Sequence, residues 1–195
     1  MSLFALIGSD LRAYVWKPYT PKQGKFWLFL LRQILFHRAL LYVPFYRYGH
    51  WAFRQCPMPG WKHLHQVLYL LLLPGMRLLT SVDMNHKATI GPGLILLHGN
   101  QVIGEIEAGR NLTVHDGVLL GHADDGACPV LGEEVLLGAR CIVVGGIRLG
   151  DRVKVGAGTT VVKSLPAGVV AVGASIRVLA PKDSPMDLPS DPHSS

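Results

Sequence analysis

Leu131-Gly-Glu-Glu-Val-Leu136, Leu137-Gly-Ala-Arg-Cys-Ile142, Val143-Val-Gly-Gly-Ile-Arg148, Leu149-Gly-Asp-Arg-Val-Lys154 and Val155-Gly-Ala-Gly-Thr-Thr160 are five consecutive hexapeptides that each open on an aliphatic residue, and four carry glycine next. Val161 opens a sixth, and upstream the same step of six runs Ile90, Leu96, Val102, Ala108, Val114, Leu120. Glycine takes the second position at 91, 109, 121, 132, 138, 150 and 156, and the fifth is apolar at Leu94, Ile106, Leu112, Val118, Val135, Ile147 and Val153. A period of six fits neither an amphipathic helix nor a strand that alternates throughout. It is the mark of a parallel β-helix, in which each hexapeptide forms one flat face and three faces close a coil of about 18 residues. The first-position residues, Val102 among them, are expected to point inward, and the glycine to let the chain turn the corner.

Residues 121–130 break this register: Leu120 to Leu131 is eleven steps rather than twelve. A polar, Gly-containing insert in a regular stack reads as a protruding loop, where function tends to collect. Downstream, Lys163-Ser-Leu-Pro-Ala-Gly168 reads as a turn ending the stack, and the tail from Pro181 as disordered. The division expected is a helical, basic, hydrophobic region at 1–80, the β-helix at 81–180 and a tail at 181–195.

The region before the repeats differs in kind. Residues 1–80 carry ten Lys/Arg and one Asp, a net of +9, against −3 for the rest of the 195-residue chain. Residues 26–55 are rich in Leu and aromatics with arginines spaced through them, which predicts helix interrupted near Pro44. A second helix is expected from about Trp61 to Leu73, stopped by Pro74-Gly75. The uncharged span 63–76 contains two histidines and Pro74 and falls short of the about 20 apolar residues that a membrane crossing needs. Two readings remain for this region. One is a bundle packed on itself and on the end of the solenoid; the other is a peripheral membrane surface at 26–55 facing anionic lipid. Nucleic acid is not an expected partner, because no recognised motif accompanies the charge. Three cysteines, Cys56, Cys128 and Cys141, form no CxxC pair and no disulfide framework. That usage suits a reducing cytoplasm, and the start Met1–Asp10 has no basic n-region of a secretory signal.

A β-helix does not fix a function, so the chemistry must come from polar residues at unusual repeat positions. His98 stands in Leu96-Leu-His-Gly-Asn100, where the following glycine permits close approach. Imidazole titrates near neutral pH and can take a proton from an attacking hydroxyl. Asp83 lies fifteen residues upstream and falls near His98 one coil away, where a carboxylate could hold the ring. A solvated histidine and a capping aspartate are the alternative from spacing alone. His115 and His122 lack the spacing of a three-histidine metal site, and no metal is expected.

Val82-Asp83, Ile90-Gly-Pro-Gly93, His98-Gly99, Val102-Ile-Gly-Glu105, Gly117-Val-Leu-Leu-Gly121, Leu137-Gly-Ala139 and Val155-Gly-Ala-Gly-Thr159 resemble the acyltransferase domain of bacterial serine O-acetyltransferases. The resemblance implies a left-handed β-helix, mainly β with a small helical N-terminal region, and a homotrimer with acetyl-CoA between neighbouring subunits. It places the general base on His98 and its partner on Asp83, and it puts Gly138, Ala139, Gly156, Ala157 and Lys154 beside the cofactor. Two departures bear on the acceptor. Leu97 stands where that family carries Asp, and Gly126-Ala-Cys-Pro129 stands where it carries Asp-Arg-His-Pro. The stretch Gly121 to Pro129 and the short basic N-terminus resemble the acetyltransferases of exopolysaccharide clusters, the colanic acid type among them. The expected function is therefore an acetyl-CoA-dependent O-acetyltransferase acting on a sugar hydroxyl of an exopolysaccharide or lipid-linked precursor, cytoplasmic or at the inner membrane face. Serine O-acetylation is the alternative. His122, Asp124 and Cys128 in the loop are the expected acceptor contacts.

Overall fold

The computed structural model describes residues 2–15, 38–57, 59–122 and 126–173. Three helices come first: α1 (Leu3–Val15), α2 (Ala39–Arg54) and α3 (Pro59–Thr80). The strands follow coil by coil. The first coil holds β1 (Asp83–Met84), β2 (Thr89–Ile90) and β3 (Ile95–Leu96). The second holds β4 (Val102–Ile103), β5 (Glu107–Ala108) and β6 (Thr113–Val114). The third holds β7 (Leu119–Gly121), β8 (Val130–Leu131) and β9 (Leu136–Leu137). The fourth holds β10 (Ile142–Val144), β11 (Arg148–Leu149) and β12 (Lys154–Val155), before β13 (Thr160–Val161) and β14 (Val170–Ala171). Up to β13 every third strand pairs in parallel, and β14 pairs with β12, giving three sheets: β1-β4-β7-β10-β13, β2-β5-β8-β11 and β3-β6-β9-β12-β14. The chain is a left-handed parallel β-helix of triangular section.

The repeat explains the core. Ile90, Leu96, Val114, Leu120, Leu131, Leu137, Val143, Leu149, Val155 and Val161 all point inward and are buried. The fifth-position residues Leu94, Ile106, Leu112, Val118, Val135 and Val153 are buried with them. Cys141, also at a fifth position, is buried, and burial pushes its thiol up to about 11, so it serves as a small apolar filler.

Val102 is the exception. It is 47% exposed while Ile103 is 1% exposed, so the inward residue of β4 is one position later than the step of six places it. Leu96 to Ile103 spans seven residues, whereas the same corner takes six in the next coils, and Ile103 to Ala108 recovers the register in five. The extra residue sits in the corner His98-Gly-Asn-Gln101. There His98 and Asn100 both adopt left-handed backbone, with φ of 70° and 60°. Gln101 fills the enlarged corner, its Nε2 donating to the carbonyls of Leu97 at 2.7 Å and His115 at 3.1 Å.

The second-position glycines act differently from expectation. Gly91, Gly109, Gly132, Gly138 and Gly150 are not among the residues with positive φ. They are small because the next coil passes close by: a Cβ on Gly91 would lie 2.7 Å from the amide nitrogen of Arg110. Backbone cannot yield as a side-chain tip can, so Gly91→Ala should cost about 1–3 kcal/mol, readable by chemical denaturation.

An open β-helix end would expose a rung of unpaired backbone groups. Helices α1 and α2 cover it. Tyr42 Oη donates to the Met84 carbonyl at 3.4 Å, and Tyr46 Oη to the Ala88 carbonyl at 2.6 Å. Arg47 donates to the carbonyls of Ile90 at 2.5 Å and Gly91 at 2.7 Å. Asp10 Oδ1 accepts from the amides of Gly93 at 2.8 Å and Leu94 at 2.9 Å. Tyr14 Oη donates to the Leu96 carbonyl at 2.7 Å. Asp10 and Arg47 meet at 2.8 Å with side chains 1% and 3% exposed. Burial pushes the Tyr14 phenol up and that of Tyr46 up to about 12, so both stay neutral donors.

Neither predicted helix break is observed. Pro44 lies inside α2 and Pro74 inside α3, which runs on to Thr80. Each proline removes one helical hydrogen bond, at a cost of up to about 3 kcal/mol. Packing against the solenoid outweighs that in α2, and in α3 one face is open to water, which can take the freed carbonyl. Of the basic residues of the 26–55 stretch that the structure describes, Arg47 is consumed by the end cap while Arg38 and Arg54 are exposed, and Tyr42 and Tyr46 point inward. The exposed apolar row lies instead on α3, where Trp61, Leu64, Leu68, Leu71 and Leu78 face outward. No helix among the described residues is long and apolar enough to cross a membrane. The 181–195 tail lies outside the described residues.

Under α2, the His50 ring meets the His86 carbonyl at 3.2 Å and the His86 ring packs on Phe53 at 4.0 Å. Burial is the leading cause that holds both imidazoles below the ordinary 6.5. The fold keeps them neutral, so as pH falls the unfolded chain binds protons first. Their contribution is whole above about pH 6.5 and is lost as pH drops through the lowered folded values. The melting temperature should therefore fall between about pH 7 and pH 5, and His50→Gln combined with His86→Gln should flatten that slope.

Candidate active site

His98 is exposed on the edge between the sheet containing β3 and the sheet containing β4. Its left-handed backbone, uncommon for a residue with a Cβ, is imposed by the widened corner and aims the side chain off the regular stack. Gly99 is required there, because a Cβ would lie 2.8 Å from the Thr80 carbonyl. The end of α3 thus lies against the His98 corner.

The same edge continues down the solenoid. Gly117 donates its amide to the Gly99 carbonyl at 3.2 Å, Arg140 to Asp116 at 2.8 Å, and Gly158 to Ala139 at 2.8 Å. His98-Gly99, Asp116-Gly117, Ala139-Arg140 and Ala157-Gly158 are therefore successive rungs of one ladder. At about 4.8 Å per rung, Ala157 lies about 14 Å along from His98. Gly138, Ala139, Gly156 and Ala157 keep the side chains at this edge small, so a narrow extended ligand can reach the backbone. Lys154 is exposed on β12, just before the same corner. The predicted base and the predicted cofactor residues thus share one prism edge.

Asp83 lies on β1, beyond the corner from His98. Its Oδ1 accepts from Arg77 Nη2 of α3 at 2.6 Å, with both side chains about half exposed. Asp83 lines a recess with Arg77, His86 and Val102, while His98 lines the adjoining one with Thr80 and Ser81. The segment Thr80–Asp83 joins the two, and the Asp83 carboxylate is committed to Arg77 at one of its oxygens.

The loop residues are not brought to His98 within one chain. His122 follows β7, and Cys128 precedes β8, at the opposite edge of the β1-β4-β7 sheet. Cys128 lines a recess of about 210 Å³ with Arg54, Lys87 and Glu105. Asp124 lies outside the described residues. His122 and Cys128 stand one face later than His98, where the insert leaves the prism. Among the described residues no group of three or more His, Cys, Asp or Glu is placed to hold a metal ion.

Two charged groups that sequence reasoning passed over do line the His98 recess, which measures about 440 Å³: Arg38, at the start of α2, and Asp116. Asp116 was legible, being His98 plus one coil of eighteen residues. Arg38 was not, because no repeat links α2 to the solenoid.

Comparison with known proteins follows the geometry. A family model described as the hexapeptide repeat of succinyl-transferase matches residues 130–163. A serine acetyltransferase of Helicobacter pylori is 39% identical over 108 residues, 53% of this chain and 63% of the relative. One of Synechococcus elongatus is 29% identical over 182 residues, 91% of this chain and 69% of the relative. A putative colanic acid biosynthesis acetyltransferase, WcaB, of Escherichia coli is 42% identical over 100 residues, 49% of this chain and 62% of the relative. The chain thus spans 63% of the length of the Helicobacter relative. Among solved structures, the Neisseria gonorrhoeae serine acetyltransferase in complex with serine superposes with a TM-score of 0.72 at 26% identity, over 88% of this chain and 67% of that one. The soybean serine acetyltransferase complexed with serine gives 0.71 at 27% identity, over 91% and 70%. The chain carries hexapeptide repeats and is similar in sequence and in fold to the serine acetyltransferases and, over 100 residues, similar in sequence to a colanic acid acetyltransferase.

Proposed function

We propose that this protein transfers an acetyl group from acetyl-CoA to the hydroxyl of a small hydroxy amino acid, L-serine being the first candidate, with His98 as general base. The observation that carries the reading is the single edge on which an exposed imidazole and a run of Gly and Ala rungs lie within about 14 Å, the reach of an extended pantetheine arm. His98 accepts the acceptor's hydroxyl proton as the oxygen attacks the thioester carbonyl. The carbon–sulfur bond breaks, and the thiolate leaves with the proton returned by the imidazolium. Asp83 steadies the corner from the neighbouring recess, through the segment it shares with Thr80. The cleft for acetyl-CoA is proposed to be completed by a second copy in a homotrimer, whose 121–130 loop would supply the acceptor contacts that one chain does not bring together. Light scattering giving three chains per particle supports this, and a monomer that is fully active contradicts it.

Serine is favoured over a sugar because serine acetyltransferases align over up to 91% of the chain and two of the structural matches hold serine. Sugar O-acetylation stays as a second reading on one specific observation, the 42% identity to the colanic acid relative over 100 residues. Release of free CoA thiol from acetyl-CoA, measured with L-serine and with a panel of neutral sugars, decides between them. Serine-dependent release with mass-spectrometric detection of O-acetylserine is the expected result. Release with sugars alone would replace the acceptor and keep the mechanism.

A further inference from the structure

We propose that Arg38 and Asp116 are the acceptor-specificity residues, Arg38 holding a carboxylate and Asp116 an ammonium, with His98 on the rung between them. The inference rests on the reading of His98 as the base and of the acceptor as a hydroxy amino acid. Arg38 begins α2, the helix that covers the open end of the solenoid, and His98 belongs to the first coil and Asp116 to the second. All three line one recess of about 440 Å³, with Ser81 and Asn100 completing its polar wall. The residue bearing the cation therefore comes from the end cap and the one bearing the carboxylate from the second coil, with His98 on the coil between.

Among the described residues the ion pairs are Asp10–Arg47, Arg77–Asp83, Lys87–Glu105 and Arg110–Glu133, and Arg38 and Asp116 belong to none of them. The Asp116 backbone carbonyl accepts from Arg140 at 2.8 Å, which fixes its rung beside the recess that it lines. In a hydroxy amino acid, one carbon bears both charges and is bonded to the hydroxyl-bearing carbon. Holding the two ends presents the hydroxyl at a fixed place, next to the base. A neutral acceptor would leave both protein charges unpaired, which is how a polar site rejects the wrong substrate.

The test is steady-state kinetics of the full chain with acetyl-CoA and three acceptors: L-serine, ethanolamine, which lacks the carboxylate, and 3-hydroxypropanoate, which lacks the ammonium. Arg38→Ala should lower kcat/KM for L-serine ~10–100-fold, mainly through KM, and leave ethanolamine unchanged. Asp116→Asn should do the same for L-serine and leave 3-hydroxypropanoate unchanged, and Arg38→Lys should restore part of the loss. If Arg38→Ala weakened L-serine and ethanolamine alike, or neither, the assignment would be wrong. If the wild type acetylated L-serine and both variants matched it, the amino acid reading would survive and this assignment alone would fail. If the wild type acetylated sugars and not L-serine, both would fall.

Discussion

His98→Ala should lower turnover by about 10²–10⁴-fold, with acetyl-CoA affinity and melting temperature close to those of the wild type. The separation of effects follows from where the side chain sits. It is exposed on a corner, packs into no core, and its loss opens no cavity. Alanine at 98 keeps a Cβ on a left-handed backbone that the enlarged corner already imposes, so the substitution adds no new backbone strain. What is lost is the proton acceptor at the moment the hydroxyl attacks. The fall should therefore appear in kcat for every acceptor, unlike the acceptor-selective losses expected at Arg38 and Asp116. Near-normal turnover in His98→Ala would remove the base from the account.

Asp10→Ala should be the most damaging single change to stability, at about 3–5 kcal/mol, with Arg47→Ala comparable. The ion pair is almost wholly excluded from water. Truncating Asp10 leaves a buried guanidinium without its counter-charge and also strips acceptors from the amides of Gly93 and Leu94. Truncating Arg47 leaves a buried carboxylate and two orphaned carbonyls, at Ile90 and Gly91. These groups belong to the first coil, the one that holds His98, so uncapping would loosen the site before the far end of the prism. For a chain of this size the loss corresponds to a fall of roughly 10 °C in melting temperature, measured by calorimetry. A double variant no worse than either single variant is expected, because both break the same pair.

The solenoid was legible because a period of six is written in residues that must point inward. All six members of the series from Leu131 to Val161 do so. The reading slipped by one at Val102, since counting in sixes has no means of seeing an extra residue until a corner absorbs it. That slip falls at the His98 corner, where the regular repeat yields to the residue proposed as the base. The glycines were placed rightly but for the wrong reason: the closeness of the next coil of the same chain, not the need to turn the corner, excludes a side chain at Gly91. The helical region was readable as helical but not in its bounds. Pro44 and Pro74 were taken as stops, and tertiary packing overrode that local preference. The long-range partners Tyr42–Met84, Tyr46–Ala88 and Asp10–Gly93 leave no periodic trace, and neither does Arg38 beside His98. Asp116 lies one eighteen-residue coil after His98, so the repeat places it on the same edge.

The central claim is that the base and the thioester share the edge defined by residues 98, 116, 139 and 157. A crystal structure with CoA bound tests it most directly. The account predicts the pantetheine arm lying along the Ala139 and Ala157 rungs with its sulfur at the His98 corner. CoA seated at either of the other two edges, with its sulfur remote from His98, would contradict it.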